Sequence, residues 1–105
     1  MSEKNTLIQF GHKFQTKIIS SLLGDKVFLQ TICDILEPEY FDSDANKWIS
    51  QTIRDYFFEY KTAPTLEVMK VKIDELENEI LQVAVVNDLK ESWRLIQSTL
   101  KHGAA

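Results

Sequence analysis

Apolar residues recur every three to five positions along most of the chain, from Phe10 to Leu100. This spacing is typical of α-helices with one apolar face, because an α-helix completes a turn in about 3.6 residues. No segment alternates apolar and polar residues over the length of a strand. The pattern therefore predicts an all-α protein of five or six helices, in which a small globule of three or four helices precedes a C-terminal helical hairpin.

Local sequence signals divide the first part of the chain into two predicted helices. The apolar face that begins at Phe10 ends at Gly24, and glycine is common at a helix C-terminus. Asp25 then lies where it can cap a second helix over residues 26–37. Pro38 ends that helix, because the residue before a proline avoids the helical region.

A third helix is predicted over about 44–60, with Asp42 or Ser43 as its N-cap. Pro64 forces a break after it, and Thr65 is a good cap for the following helix. Residues 1–9 are polar without a period, so they are interpreted as a flexible leader ahead of a globule over 10–76.

The apolar faces of these helices predict a common core. Trp48 is expected to lie at its centre, since burial of a large aromatic side chain removes much apolar surface from water. The predicted core residues are Phe14, Ile18, Leu22, Ile32, Leu36, Phe41, Trp48, Ile53 and Phe57.

The apolar spacing becomes narrower from Leu66 onward. Three- and four-residue steps alternate, which is the a/d pattern of a coiled coil. The positions are Leu66, Met69, Ile73, Leu76, Ile80 and Val83, then Leu89, Trp93, Ile96 and Leu100. Two such helices joined by a polar turn at Asn87-Asp88 most simply form an antiparallel hairpin over 77–102. A break near Glu77-Asn78 and a single helix over 65–102 are the alternatives, since neither Gly nor Pro occurs in that range.

One small globule is not expected to cover all of the hairpin's apolar surface. A large exposed apolar patch generally marks an interaction site. The candidate self-association or partner face comprises Leu76, Ile80, Val83, Val85, Val86, Leu89, Trp93 and Ile96. The competing interpretation, weighed equally, is that these residues pack the hairpin onto its own globule.

Composition limits the kinds of function. A length of 105 residues corresponds to one domain, and a net charge of -4 argues against a dominant nucleic-acid surface. Cys33 is the single cysteine, so no internal disulfide can form, which fits a reducing cytoplasm. No apolar run approaches the roughly 20 residues of a membrane helix. A cytoplasmic protein that contacts no membrane is expected.

The sequence contains no pattern that predicts catalysis. No phosphate loop of the form G-x-x-x-x-G-K-[ST] occurs, which argues against NTP hydrolysis by this chain alone. Cys33, His12 and His102 lie far apart in sequence, so they do not suggest a zinc site. The carboxylates at 74–79 are interpreted as a solvated face and the aromatic residues at 56–60 as core packing with one or two exposed rings. No catalytic, cofactor-binding or metal-binding residue is predicted.

The order of these elements resembles a known family. The first two elements are FQTKIISSLLGD (14–25) and VFLQTICDIL (27–36). They are followed by a proline with Tyr40-Phe41, a polar cap, an aliphatic-aromatic helix and the joint Pro64-Thr65. This order is similar to that of the N-terminal domain of DnaB-type replicative DNA helicases, most of all those of T4-like bacteriophages. The resemblance covers about 14–76. Each element is a packing signature, so the order and spacing together carry the likeness.

The resemblance implies an interaction and oligomerisation domain without catalytic activity. In the family a motor domain follows, which binds ATP and Mg²⁺ through a phosphate loop, and the N-terminal domains pair into a collar over the hexamer. The collar docks the primase, with a helicase loader as a further expected partner, and direct DNA contact by this domain is expected to be weak or absent. The implied location is the cytoplasm of a bacterium or a phage-infected host.

Two other classes of protein stay open. The helicase-binding C-terminal domain of bacterial primases resembles the same fold, and a stand-alone phage adaptor or regulator would have the same composition. The acidic segment 74–79 departs from bacterial helicases, which leaves the hairpin boundary open.

Overall fold

The computed structural model of the chain describes residues 11–79 and 83–103, and these residues form helices and connecting turns without a strand. The elements are α1 (His12–Gly24), α2 (Lys26–Ile32), a 3-10 turn (Pro38–Tyr40), α3 (Asp44–Tyr60), α4 (Leu66–Glu79) and α5 (Val83–Gly103). The predicted all-α class and number of helices are confirmed. The predicted leader over 1–9 lies outside the described residues.

Side-chain caps start three of the helices. The backbone N–H three residues further along donates to a side-chain oxygen of Asp25, Ser43 and Thr65, at 3.1, 3.0 and 3.1 Å. Each bond satisfies one of the N–H groups that a helix N-terminus leaves without a partner. The caps predicted for α2 and α4 are confirmed, and Ser43 is the cap of α3.

The second helix is shorter than predicted. It ends at Ile32 instead of continuing to residue 37. The N–H groups of Ile35 and Leu36 both donate to the Ile32 carbonyl oxygen, at 3.0 and 2.9 Å, so the backbone forms tight turns there. These turns allow Leu36 to be buried before the chain reaches Pro38.

Gly24 is the last residue of α1, but its role differs from the predicted one. Its φ is not positive, so it does not form a left-handed C-cap. A Cβ at Gly24 would instead lie 2.9 Å from Cδ2 of Leu100. The missing side chain therefore permits close approach of α5 to the end of α1.

The core lies around α1. This helix packs against α2, α3 and most extensively α5, and α3 also packs against α5 and the 3-10 turn. The buried apolar residues are Ile19, Leu22, Leu29, Cys33, Leu36, Phe41, Ala45, Ile49, Ile53, Met69, Ile73, Leu89, Trp93 and Ile96. The globule thus contains residues from every α-helix.

The predicted core residues fall into three groups. Those that the structure buries are Leu22, Leu36, Phe41 and Ile53. Those that are partly buried and packed against the core are Ile18, Ile32, Trp48 and Phe57. Phe14 is 38% exposed, so its assignment to the core was wrong. Trp48 lies at the edge of the core, and its neighbour Ile49 is fully buried.

The buried face of α1 differs from the predicted one because it contains polar residues. Gln15, Thr16 and Ser20 are buried beside Ile19. Ser20 Oγ donates to the Thr16 carbonyl oxygen at 2.8 Å and lies 3.2 Å from the Ile96 carbonyl oxygen. Gln15 Oε1 accepts a hydrogen bond from the Asp42 backbone N–H at 3.2 Å. Polar groups that form hydrogen bonds can be buried at little cost. Phe14 is 38% exposed, whereas the next residue, Gln15, is fully buried.

The break in the predicted hairpin is also in a different place. Asn87 and Asp88 lie within α5 as exposed polar residues, so the break predicted there was wrong. The helix that begins at Leu66 ends at Glu79, close to the alternative break near Glu77-Asn78. Lys90 Nζ lies 3.9 Å from Glu77 Oε1, and the start of α4 shares a cleft with the end of α5. The two helices therefore run antiparallel.

Candidate functional site

Three residues of the predicted interaction face lie in the core of the chain itself. Leu89, Trp93 and Ile96 are 2%, 8% and 0% exposed. Their assignment to an exposed face was wrong, because α5 turns this side toward α1 and α3. The helix is therefore part of the globule rather than an arm that extends from it.

The other described residues of the predicted face belong to the last turns of α4 and the first turn of α5, and this region is called the α4–α5 tip below. Val85 is 36% exposed, and Leu76 and Val86 are partly buried. Ile80 and the side chain of Val83 lie outside the described residues. Of this part of the predicted face, the structure therefore describes one exposed residue, Val85, and two partly buried ones, Leu76 and Val86.

A cleft of about 320 Å³ separates the C-terminal part of α3 from α4, and it is called the α3–α4 cleft below. Its lining residues are Trp48, Thr52, Asp55, Tyr56, Glu59 and Tyr60 from α3 and Lys72, Glu75, Leu76 and Glu79 from α4. Aromatic side chains and carboxylates therefore line the same concave surface.

The α3–α4 cleft is acidic, since its lining contains four carboxylates and one ammonium group. Asp55 Oδ1 accepts a hydrogen bond from Gln51 Nε2 at 2.7 Å. Among the described residues, Glu59, Glu75 and Glu79 form no ion pair within 4.0 Å. These three carboxylates are exposed to solvent.

Aromatic rings form part of the wall of this cleft. The ring centroids of Tyr56 and Tyr60 are 4.5 Å apart, with an angle of 43° between the planes. Tyr60 is 55% exposed, although tyrosine is a large and partly apolar residue. Partly exposed aromatic residues of this kind are enriched in protein interfaces.

The other aromatic residues of the 56–60 segment serve the fold. Phe57 packs against the core. The guanidinium of Arg54 lies 5.5 Å from the ring centroid of Phe58, and its Nη1 lies 3.4 Å from Glu37 Oε1. Arg54 thereby joins α3 to the segment that precedes the 3-10 turn.

A second cleft, of about 550 Å³, lies at the opposite end of the α4–α5 pair. The residues that line it are Leu23, Pro64, Thr65, Leu66, Gln97, Leu100 and Lys101. Its lining is mainly apolar, and no polar cluster occurs among these residues that would fix the orientation of a ligand.

The described residues show no arrangement suited to nucleophilic or metal chemistry. Cys33 is 4% exposed, and burial raises the pKa of its thiol, with a further rise from the adjacent Asp34 carboxylate. The thiol therefore stays protonated and unreactive at neutral pH. Among the residues described, His, Cys, Asp and Glu side chains do not form a group of three that could hold a metal ion.

The sequence analysis found the carboxylates at 74–79 and the aromatic residues at 56–60 but not their proximity. One signal in the sequence pointed to faces that could meet. Tyr56 and Tyr60 are four residues apart, as are Glu75 and Glu79, so each pair lies on one helix face. The arrangement of α3 beside α4 had to come from the structure.

Comparison with known proteins gives no match: no family model, no curated protein and no solved structure matches the chain. Within the described ranges, no helix has the length and apolar character needed to cross a membrane.

Proposed function

We propose that this chain is the N-terminal interaction domain of a DnaB-type replicative DNA helicase, of the kind found in T4-like bacteriophages. The domain itself carries no catalysis. It pairs with other copies in the collar of the hexamer and docks the primase or a helicase loader. ATP and Mg²⁺ belong to the motor domain.

The observation that supports this proposal is the structural role of the residues that carry the resemblance. Phe41 is fully buried, and Tyr40 packs against the core beside it. Pro64 is buried at the joint, and Thr65 caps α4. The residues that carry the resemblance therefore have packing and capping roles in this chain, as the proposal requires.

The geometry favours binding over chemistry. The α3–α4 cleft presents aromatic rings and unpaired carboxylates on an open surface, while the single cysteine is buried. Docking of a protein partner needs such a surface, whereas catalysis would need a nucleophile or base in a closed pocket with a perturbed pKa.

Sedimentation velocity of the purified chain, mixed with the primase encoded in the same genome, tests this function. The proposal predicts a faster-sedimenting complex that contains both proteins, and the chain alone should not hydrolyse ATP. Independent sedimentation of the two proteins at concentrations up to about 100 µM would contradict primase docking, because a complex with a dissociation constant of about 1 µM would be almost fully formed at that concentration.

A further inference from the structure

We propose that α4 separates from the rest of the globule as a unit, while α1, α2, α3 and α5 stay folded. The opening turns Met69 and Ile73, which are buried in the closed form, into exposed apolar side chains. This inference goes beyond the proposed function, because it describes a conformational change of the chain alone and needs no partner. It gives the domain a way to expose apolar surface without global unfolding.

Few side chains attach α4 to the core. Its 14 residues include two buried ones, Met69 and Ile73, whereas α1 buries five of its 13 residues. Leu76 is partly buried and packs against the core. Leu66 and Val71 of the same helix are 43% and 56% exposed. Because burial of apolar surface is the main force that holds a helix on a core, α4 is attached less firmly than α1.

The backbone of α4 also stands further from its neighbours than the other helices do. The closely packed pairs of elements among the described residues are α1 with α2, α3 and α5, and α3 with α5 and the 3-10 turn. α4 belongs to none of these pairs, although Met69 and Ile73 are buried. These two side chains therefore reach the core from a helix that is not in close backbone contact with it.

Open clefts border α4 on the sides of both α3 and α5. The α3–α4 cleft of about 320 Å³ lies on one side. A cleft of about 270 Å³ lies on the other, with Ile73 and Trp93 in its lining. The cleft of about 550 Å³ described above includes Leu66, the first residue of α4. Water enters clefts of this size, so the surface that opening newly exposes to solvent is mainly that of the buried side chains.

The polar attachment of α4 is weak, and one end of the helix is joined to a turn. In the described ranges, the ion pair that connects α4 with another helix places Lys90 Nζ 3.9 Å from Glu77 Oε1, and the Lys90 side chain is 62% exposed. Ion pairs with an exposed partner contribute little to stability. Before α4, residues 61–65 are not helical, and Lys61 has a φ of 62°. Short non-helical segments of this kind absorb the backbone rotation when an element moves.

α5 does not take part in the opening. It packs closely against α1, and its Leu89 and Ile96 are 2% and 0% exposed. Ser20 Oγ of α1 lies 3.2 Å from the Ile96 carbonyl oxygen. Elements with few buried contacts open locally, whereas the elements of the core open with global unfolding. Ile73 and Ile96 should therefore become accessible through different events.

Thiol labelling of single cysteines in the whole chain tests this difference. In a Cys33→Ala background, Ile73→Cys and Ile96→Cys each place one thiol at a buried isoleucine position, in α4 and in α5. Ellman's reagent reports how fast each thiol becomes accessible in the native protein. We expect Ile73→Cys to react at least about 100-fold faster than Ile96→Cys, because a local opening requires less free energy than global unfolding. Val71→Cys, at an exposed position of α4, gives the rate of a freely accessible thiol.

The dependence of the labelling rate on urea identifies the opening event. The rate for Ile73→Cys should rise less steeply with urea than the rate for Ile96→Cys, since a local opening exposes less surface. The rate for Ile96→Cys should follow the global unfolding of the same variant, measured by urea denaturation. The comparison of each rate with the stability of its own variant removes the effect of the substitution on the fold.

Other results overturn the inference. A smaller ratio of rates with equally steep urea dependence at both positions would show that α4 separates only when the domain unfolds. Fast labelling at both positions with equally shallow urea dependence would show that α4 and α5 open together. Should a cysteine variant fail to fold by circular dichroism, hydrogen exchange of the unmodified chain, followed by mass spectrometry, replaces the labelling. Amides of α4 should then exchange at least about 100-fold faster than those of the buried side of α5, and equal protection would overturn the inference.

Discussion

Asn46 is a polar residue in the core of the globule. It is fully buried in α3, and its Oδ1 and Nδ2 form no hydrogen bond with the residues that the structure describes. A buried polar group without a partner costs about 1–3 kcal/mol. The backbone N–H of the same residue is satisfied, because it donates to Ser43 Oγ.

Replacement of Asn46 by leucine should therefore stabilise the protein. Leucine has the same branching but no polar atoms, so Asn46→Leu should raise the free energy of unfolding by about 1 kcal/mol. Urea denaturation measures this change. Ser50→Ala is the control, since Ser50 Oγ already donates to the Lys47 carbonyl oxygen at 3.0 Å and its removal brings no such gain. A loss of stability in Asn46→Leu would show that this side chain has a partner.

Lys61 adopts a backbone conformation that favours glycine. Its φ is 62°, it follows the last residue of α3, and its N–H donates to the Phe57 carbonyl oxygen at 2.7 Å. A left-handed conformation is unfavourable for a residue with a Cβ, so Lys61→Gly should raise the free energy of unfolding by about 0.5–1 kcal/mol. Thermal unfolding compares it with Thr62→Gly, which should not stabilise. Equal effects of the two substitutions would contradict this explanation.

At the scale of elements, α5 contributes its buried side to the common core. Truncation of a buried isoleucine typically costs about 2–5 kcal/mol, so Ile96→Ala should lower the free energy of unfolding by an amount in this range. Val85→Ala, at a 36% exposed position of the same helix, should cost less than about 1 kcal/mol. Guanidinium denaturation measures both variants. An equally small effect of both would mean that α5 does not pack on the globule.

Local signals in the sequence predicted the helix boundaries better than the contacts between helices. Caps and breakers act locally, so Asp25, Thr65 and Pro64 were assigned correctly from their neighbours alone. The buried face of α1 was predicted only in part: Ile18 and Leu22 pack as expected, whereas the burial of Gln15 and Ser20, which form hydrogen bonds to distant segments, was not predicted. Hydrophobic periodicity does not detect such bonds.

The candidate binding surfaces also depend on contacts between distant segments, which hydrophobic periodicity does not detect. A heptad spacing shows that a helix has a narrow apolar side but does not say which surface covers it. Trp93 lies in this seam, and the structure places it in the chain's own core rather than on an exposed face. The α3–α4 cleft could not be predicted, because it depends on how two helices lie beside each other.

For the whole molecule, the tip formed by α4 and α5 is the predicted place of self-association. Val85 is partly exposed there and Val86 is partly buried. Closed two-fold pairing is the commonest arrangement for such a patch, so we expect weak dimers at high concentration. Val85→Asp with Val86→Asp should dissociate them while the helix content stays unchanged. Sedimentation equilibrium and circular dichroism measure the two effects, and a strict monomer at millimolar concentration would contradict this expectation.

The central claim is that this chain belongs to a replicative helicase as its interaction domain. Sequencing of the complete reading frame in the genome that encodes it is the most direct measurement. The proposal predicts that the frame continues beyond residue 105 into a motor domain with a G-x-x-x-x-G-K-[ST] phosphate loop. A stop codon immediately after Ala105 would indicate an adaptor or regulator, and a primase catalytic domain upstream of Met1 would indicate the other side of the interface. Either result would contradict the claim.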